Sequence, residues 1–455
     1  MKTETFKKSM AALVIAGALS LVMLLAYFGG LLDFLEYKLY DLRVNISAPS
    51  LRTSDDIIPV FLDQDSLDWA WRERGWGWPW PRAAYAELID YIALGGAASM
   101  SFDVIYSEPS VYGAEDDRAF AEAASRYGKI AQIVVFSSQT GNADSWPNDL
   151  NKPLFELHKF ESMISVYEQL NQNVESTGRM RAQFPINELR NSARIIGNVT
   201  GWADSDNIFR RNNLFSIFDG KAVPGLSAAS LLISGASNQI TFNEKNRAIE
   251  WGDRIIPVDK HGRSILRFKG PLDRYNPYWA WEVLQSAEDY KNGKVPTIFP
   301  EDFEGRYVFF GLYAQGLFDI FSNPINSVYA GIGMHITMLD NVLGQDFIRE
   351  SPVWLNVLLI IFAVVLIVVL SLYSQRIVFS ISGTVLIFAV FAVVAIGTYH
   401  FSCLWMPMAA PLFAIIFAFI TTSVYNYVTE GSKKRFIKSA FSQYLSPEVI
   451  EQIIL

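Results

Sequence analysis

An intrachain disulfide is impossible here, because the 455 residues include one cysteine, Cys403. Any soluble body must therefore be held by its own core, and the lone thiol reads either as an apolar-tolerant residue or as a bridge between two copies. Histidine is nearly as scarce. His158, His261, His335 and His400 show no ligand spacing, so no metal centre is expected. Positive charge is in deficit, 38 Lys and Arg against 46 Asp and Glu, and no basic patch lies away from the apolar segments. That balance argues against nucleic acid as a partner. Charge of either sign is missing from two stretches: Ser9 to Leu32 has none, and Val353 to Val428 has only Arg376.

Those uncharged stretches are long enough to cross a lipid bilayer. The first resembles a secretory signal in its leading Lys2, Lys7 and Lys8, but its apolar run is longer and no small-residue cleavage site follows, so an uncleaved anchor over 9–32 is expected. The second divides at Ser374 to Arg376 into spans over 353–373, 377–399 and 404–427, the last containing Pro407 and Pro411. With four spans, Lys2, Lys7, Lys8, Arg376, Lys433, Lys434, Arg435 and Lys438 all fall on one side, and the positive-inside rule makes that side cytoplasmic. Residues 33–352 then lie outside, with 1–8 and 428–455 inside.

The outer region alternates strand-like and helix-like segments: strand Ile57 to Leu62, helix Arg82 to Leu94 opened by Pro81, strand Ala98 to Tyr106, helix Asp117 to Arg126 and strand Ile130 to Phe136. A βαβαβ run of this kind predicts a parallel sheet. The polar stretch Ser138 to Glu188 reads as an insertion or surface excursion. Beyond it are expected a helix near Leu226 to Ser234, a hairpin turning at Gly252-Asp253, strands near Ile265 to Lys269 and Tyr307 to Phe310, and a helix over Gly333 to Leu343. The fold class expected is an α/β sensor domain with a mixed, largely parallel sheet flanked by helices, plus a four-helix transmembrane region.

In a parallel sheet, ligands gather at the carboxyl ends of the strands. Asp63, Asp65 and Asp103 fall at those ends. They suit a divalent cation or cationic ligand if they converge; otherwise Asp63 and Asp103 accept backbone N–H groups or pair with Arg82. In the run from Trp71 to Arg82, Trp76, Trp78 and Trp80 alternate with glycine and proline, a rigid turn that plants indoles in a ligand cleft or in the core. Gly331 and Gly333 before a helix are a weak anion-site signal.

The segment Ile57 to Glu108, with Asp63, Trp78-Pro79-Trp80-Pro81-Arg82 and Phe102-Asp103-Val104, resembles the type-two CHASE domain, a sensory module of bacterial membrane receptors. So do Asp116-Asp117, Asp204 to Arg211, Gly311 through Asp319 to Pro324, and Gly331 through His335 to Asn341. Asn207 and Ala330 stand where the family often has glycine and proline. The resemblance implies a receptor in the bacterial inner membrane, sensing a small-molecule or protein signal, with Asp63, Asp65, Trp78, Trp80, Arg82, Asp103 and Asp319 as ligand-binding candidates. Near the end, Phe441, Tyr444, Ser446, Pro447, Glu448, Val449 and Ile450 resemble the segment leading into class III nucleotidyl cyclase domains. It implies a homodimer whose output lies past Leu455, with Mg2+ and ATP as cofactors there and no catalytic residue within this chain. Lys433, Arg435, Phe441, Tyr444, Ser446 and Pro447 would carry the signal. A kinase output, or a metal-dependent hydrolase outside, are the alternatives.

Overall fold

The computed structural model describes residues 2–137, 139–150, 181–235, 240–243, 245–259, 261–374 and 376–441, without the side chains of 2–5, 7 and 430–441. Two compact units divide the chain, residues 1–43 with 349–455, and Val44–Ile348. The first opens with α1 (Lys2–Phe28) and most of α2 (Asp33–Ser47); the last four residues of α2 begin the second.

The second unit is built on a parallel sheet. Its chain order is β1 (Ile57–Leu62), α3 (Gln64–Trp69), α4 (Arg82–Leu94), β2 (Ser99–Asp103), α5 (Ala114–Tyr127), β3 (Ile130–Ser137), α6 (Asn187–Ser192), β4 (Ile195–Asn198), α7 (Leu226–Ile233), β5 (Tyr278–Trp279), α8 (Ala280–Lys291), β6 (Tyr307–Leu312) and α9 (Ile332–Gly344). Its spatial order is β5-β1-β6-β2-β3-β4 with every neighbour parallel, and Arg181–Gln183 pairs antiparallel with the end of β3. Thus β6 lies between β1 and β2. The strands are buried on both sides, so they read as apolar runs.

Side-chain alternation assigns the faces. Ile58, Val60, Leu62, Met100, Phe102, Val308 and Phe310 form one core with α4, α5 and α8. On the opposite face Ser101 Oγ meets Ser230 Oγ of α7 at 2.7 Å. There Gly311 lets α9 approach, because a Cβ would stand 2.6 Å from Ile332 Cδ1.

A group of charges is buried or nearly so between Asp204 and Asp346. Asp206 receives Arg210 on both oxygens, at 2.8 and 2.9 Å, Asp204 receives Arg211 at 2.5 Å, and Asp259 receives Arg263 at 3.0 Å. Asn207, at φ 61°, makes the turn between the acids and the arginines. Lys269 Nζ likewise joins Asp340 and Asp346 at 2.9 and 3.1 Å. Paired charges of this kind hold one arrangement because removing either partner strands the other.

In the first unit, α10 (Val353–Tyr373), α11 (Ile377–Ser402) and α12 (Ala409–Phe441) follow. Among the described residues four stretches are long and apolar enough to cross a membrane: Lys8–Phe28, Val353–Tyr373, Ile377–Ser402 and Ala409–Thr429. Their shared core draws Met23, Ile360, Val364, Ile367, Ile415 and Ala418 from α1, α10 and α12, while Val385, Leu386 and Val393 of α11 face outward.

Several expectations are corrected. The helix expected from Leu404 begins at Ala409, because Leu404–Trp405 pairs as a strand with Arg349–Glu350. Pro407 precedes that helix, and Pro411 sits in its first turn, where no intrahelical donor is lost. The strand expected over Ile265 to Lys269 is Arg263–Ile265 paired with Arg211–Asn213. The polar stretch after β3 is no simple excursion at its ends: Trp146, Leu150 and Phe184 are buried together. The hairpin is found as expected, Ala248–Trp251 with Arg254–Pro257.

Candidate functional site

At the carboxyl end of β2 the chain turns through Val104 to Val111, facing the start of α4. Between them lies a cleft of about 250 Å³ lined by Trp78, Trp80, Arg82, Tyr85, Tyr106 and Ser110, among others. A second, more open hollow of about 650 Å³ shares Ser110 as wall and reaches Asp117, Asn142, Glu188 and Arg190. A parallel sheet with helix N-termini at this edge places a ligand-sized hollow where strand ends and loops meet.

The cleft wall is built from charges that satisfy one another. Arg82 is buried, its Nη1 donating to Asp117 Oδ1 and its Nη2 to the Glu108 carbonyl, and its guanidinium lies 5.2 Å from the centre of the Tyr106 ring. Asp116 receives the Arg82 and Ala83 backbone N–H groups at 2.7 and 2.8 Å, so a carboxylate from α5 caps the first turn of α4. Ser110 Oγ donates to Asp116 at 2.5 Å and Ser110 N to Asp117 at 3.1 Å. The loop after β2 is thereby fastened to two helix starts.

The tryptophans separate by role. Trp80 is 2% exposed and packs at 6.2 Å from Tyr85, while Trp78 is 43% exposed at the cleft rim. Trp76 leans on Trp80 at 6.1 Å and carries Arg74 above its ring at 5.3 Å, with Arg74 also over Trp69. The cation on these indoles is thus the chain's own, tied at 2.9 Å to Glu288.

The aspartates divide differently. Asp63 is the N-cap of α3, its Oδ1 accepting from Ser66 N at 2.8 Å and Ser66 Oγ at 2.6 Å, and Asp65 faces solvent. Asp103 stands beside Gly311 at the strand ends, its carboxyl pushed up to about 7 by burial first and by the Asp319 charge second. Among the described residues no group of three or more His, Cys, Asp or Glu is placed to hold a metal ion. His335 of α9 is buried, hydrogen-bonded to the Val199 backbone and pushed down to about 4 by its burial.

Trp78, Trp80 and Arg82 therefore share one cleft, and Asp103 and Asp319 feel each other at another point. Asp116 and Asp117 are functional wall residues beyond those expected: the sequence shows an acidic pair in the first turn of a helix, but not that Arg82 is its partner. Of the residues expected to carry a signal, Tyr444, Ser446 and Pro447 lie outside the described residues, as do the side chains of Lys433, Arg435 and Phe441 on α12.

The Val44–Ile348 unit is thus an α/β body with a parallel sheet, covered faces and a loop-built cleft, flanked in sequence by apolar helices. The CHASE2 domain family model matches residues 16–372, and the chain belongs to that family of extracellular sensory domains. No curated protein and no solved structure matches it.

Proposed function

We propose that this chain is the sensing and membrane part of a bacterial receptor, with residues 33–352 outside the inner membrane, α1, α10, α11 and α12 spanning it, and both chain ends in the cytoplasm. The observation that carries this reading is the CHASE2 match over 16–372, supported by four apolar helices which, if all span, put Lys2, Lys7, Lys8, Arg376, Lys433, Lys434, Arg435 and Lys438 on one side. The signal, a small molecule or protein, is taken up around Trp78 and Arg82. Two copies associate and drive a class III nucleotidyl cyclase domain following the Phe441 to Ile450 linker, with ATP as substrate and Mg2+ bound there. The linker's resemblance supports that output. A coupling of about 1–3 kcal/mol suffices to change output severalfold to a hundredfold. The test is to fuse residues 1–455 to an isolated class III cyclase domain in cells lacking their own cyclase and measure cyclic AMP. Removing residues 44–348 is expected to change its level severalfold; an unchanged level overturns the receptor reading.

A further inference from the structure

The short segment Cys403–Ala409, between α11 and α12, is bound from two directions. From α2, Glu36 places one carboxylate oxygen on the N–H groups of Met408 and Ala409, at 2.7 and 2.8 Å. Its other oxygen takes Trp405 Nε1 at 2.7 Å and Arg43 Nη2 at 2.5 Å. Arg43, whose side chain is fully buried, sends Nη1 to the Met406 carbonyl at 2.6 Å and Nε to Leu39 O at 3.1 Å. Tyr40, between them on the same helix, packs against the Trp405 ring at 4.3 Å, the two rings tilted by 42°. From the other connection, Arg349–Glu350 runs parallel to Leu404–Trp405, with Arg349 N on Cys403 O at 2.8 Å and Ser351 N on Trp405 O at 3.0 Å.

These two connections are where the polypeptide passes into and out of the Val44–Ile348 unit, after Arg43 and before Arg349. Both bind this seven-residue segment, the Arg349–Ser351 side at Cys403 to Trp405 and the α2 side at Trp405, Met406, Met408 and Ala409, and its last residue, Ala409, begins α12, which runs on to Phe441. Glu36 occupies the capping position at that start, which no side chain of Cys403–Ala409 takes, so the first turn of α12 is completed by a charge belonging to α2. Burial of Arg43 makes the grip cooperative, because loss of Glu36 strands a guanidinium that has no water to replace it.

We propose that Cys403–Ala409 is a mechanical collar through which displacement of the sensor's two connections reaches α12, with Glu36 and Arg43 as positioning residues. The inference rests on the receptor reading for its purpose, but the linkage is a property of the chain alone. It makes α12, rather than α10 or α11, the helix whose start is set by both connections.

The test is amide hydrogen exchange on the full chain in lipid nanodiscs, comparing the parent with Glu36→Gln, which keeps the side chain's shape, and Trp405→Phe, which keeps an aromatic ring but loses the indole N–H. Exchange is expected to rise about tenfold at Met408 and Ala409 and, together with it, in peptides covering Val44–Leu51, Ile348–Ser351 and residues 420–429. A rise confined to Met408 and Ala409 reduces Glu36 to a local cap and overturns the collar, and so does no rise anywhere. If Glu36→Gln fails to fold, Trp405→Phe, which removes one hydrogen bond and keeps a smaller aromatic ring against Tyr40, decides. Linked exchange beside an unresponsive cyclase fusion would remove the receptor reading and keep the collar; confined exchange beside a responsive fusion would do the reverse.

Discussion

Replacing Arg82 by methionine tests whether the cleft wall is a structural clamp. The substitution keeps the aliphatic stem and removes the guanidinium from a pair whose side chains are 8% and 6% exposed. Asp117 would keep only the Ser110 N–H, at 3.3 and 3.1 Å to its two oxygens, and the Glu108 carbonyl would lose its donor. Breaking a buried pair by removing one partner costs about 3–5 kcal/mol, a large part of the ~5–15 kcal/mol that holds a domain folded. With an m-value of about 3 kcal/mol/M, the urea midpoint of the Val44–Ile348 unit should fall by roughly 1–1.5 M, read from tryptophan fluorescence of the full chain in nanodiscs. Arg82→Met combined with Asp117→Leu should recover part of the loss, because no uncompensated charge then remains. A loss under about 1 kcal/mol for Arg82→Met would refute the clamp and return Arg82 to the free ligand-binding groups.

Trp80→Ala should cost about 3–5 kcal/mol in the same assay, as a buried aromatic does, and Trp78→Ala no more than about 0.5 kcal/mol while altering what the cleft takes up. Asp103 should give a pH signature. Its carboxyl sits at about 7 in the fold against 3.8 ordinarily, so the folded state binds the extra proton and stability falls as pH rises between those values. Asp103→Asn removes that slope and should stabilise the unit above pH 7 by about 1 kcal/mol, after allowing for the partial exposure of the group. His335 acts in the opposite sense: lowered to about 4, it makes stability decline as pH falls from about 6.5, so denaturation curves of Asp103→Asn should retain an acid-side loss that the parent partly masks.

What was legible in the sequence was whatever local chemistry determines. The apolar runs of β1 and β6 read as strands because both faces are covered, and Gly252-Asp253 announced its hairpin because Gly252 adopts φ 62° at the turn. That Asp63, at the end of β1, accepts a backbone N–H was one of the readings its position allowed, but the short helix it caps was not legible. The insertion of β6 between β1 and β2 was not, since strand order depends on contacts about 200 residues apart in sequence that no local pattern encodes. Nor was the Arg82–Asp117 pair, because a salt bridge between two helix starts leaves no periodic trace. The start of α12 was misplaced for a related reason: Leu404 and Trp405 are apolar enough to read as helix, and only pairing with Arg349–Glu350 makes them a strand.

The central claim, a sensory body outside the membrane with both chain ends inside, is tested most directly by site-specific labelling. Val295 is 82% exposed in the Val44–Ile348 unit, so Val295→Cys in a Cys403→Asn background offers a single accessible thiol. In intact spheroplasts a membrane-impermeant maleimide should label it fully, before any lysis. Labelling that appears only after the membrane is broken would place the CHASE2 body in the cytosol and contradict the receptor.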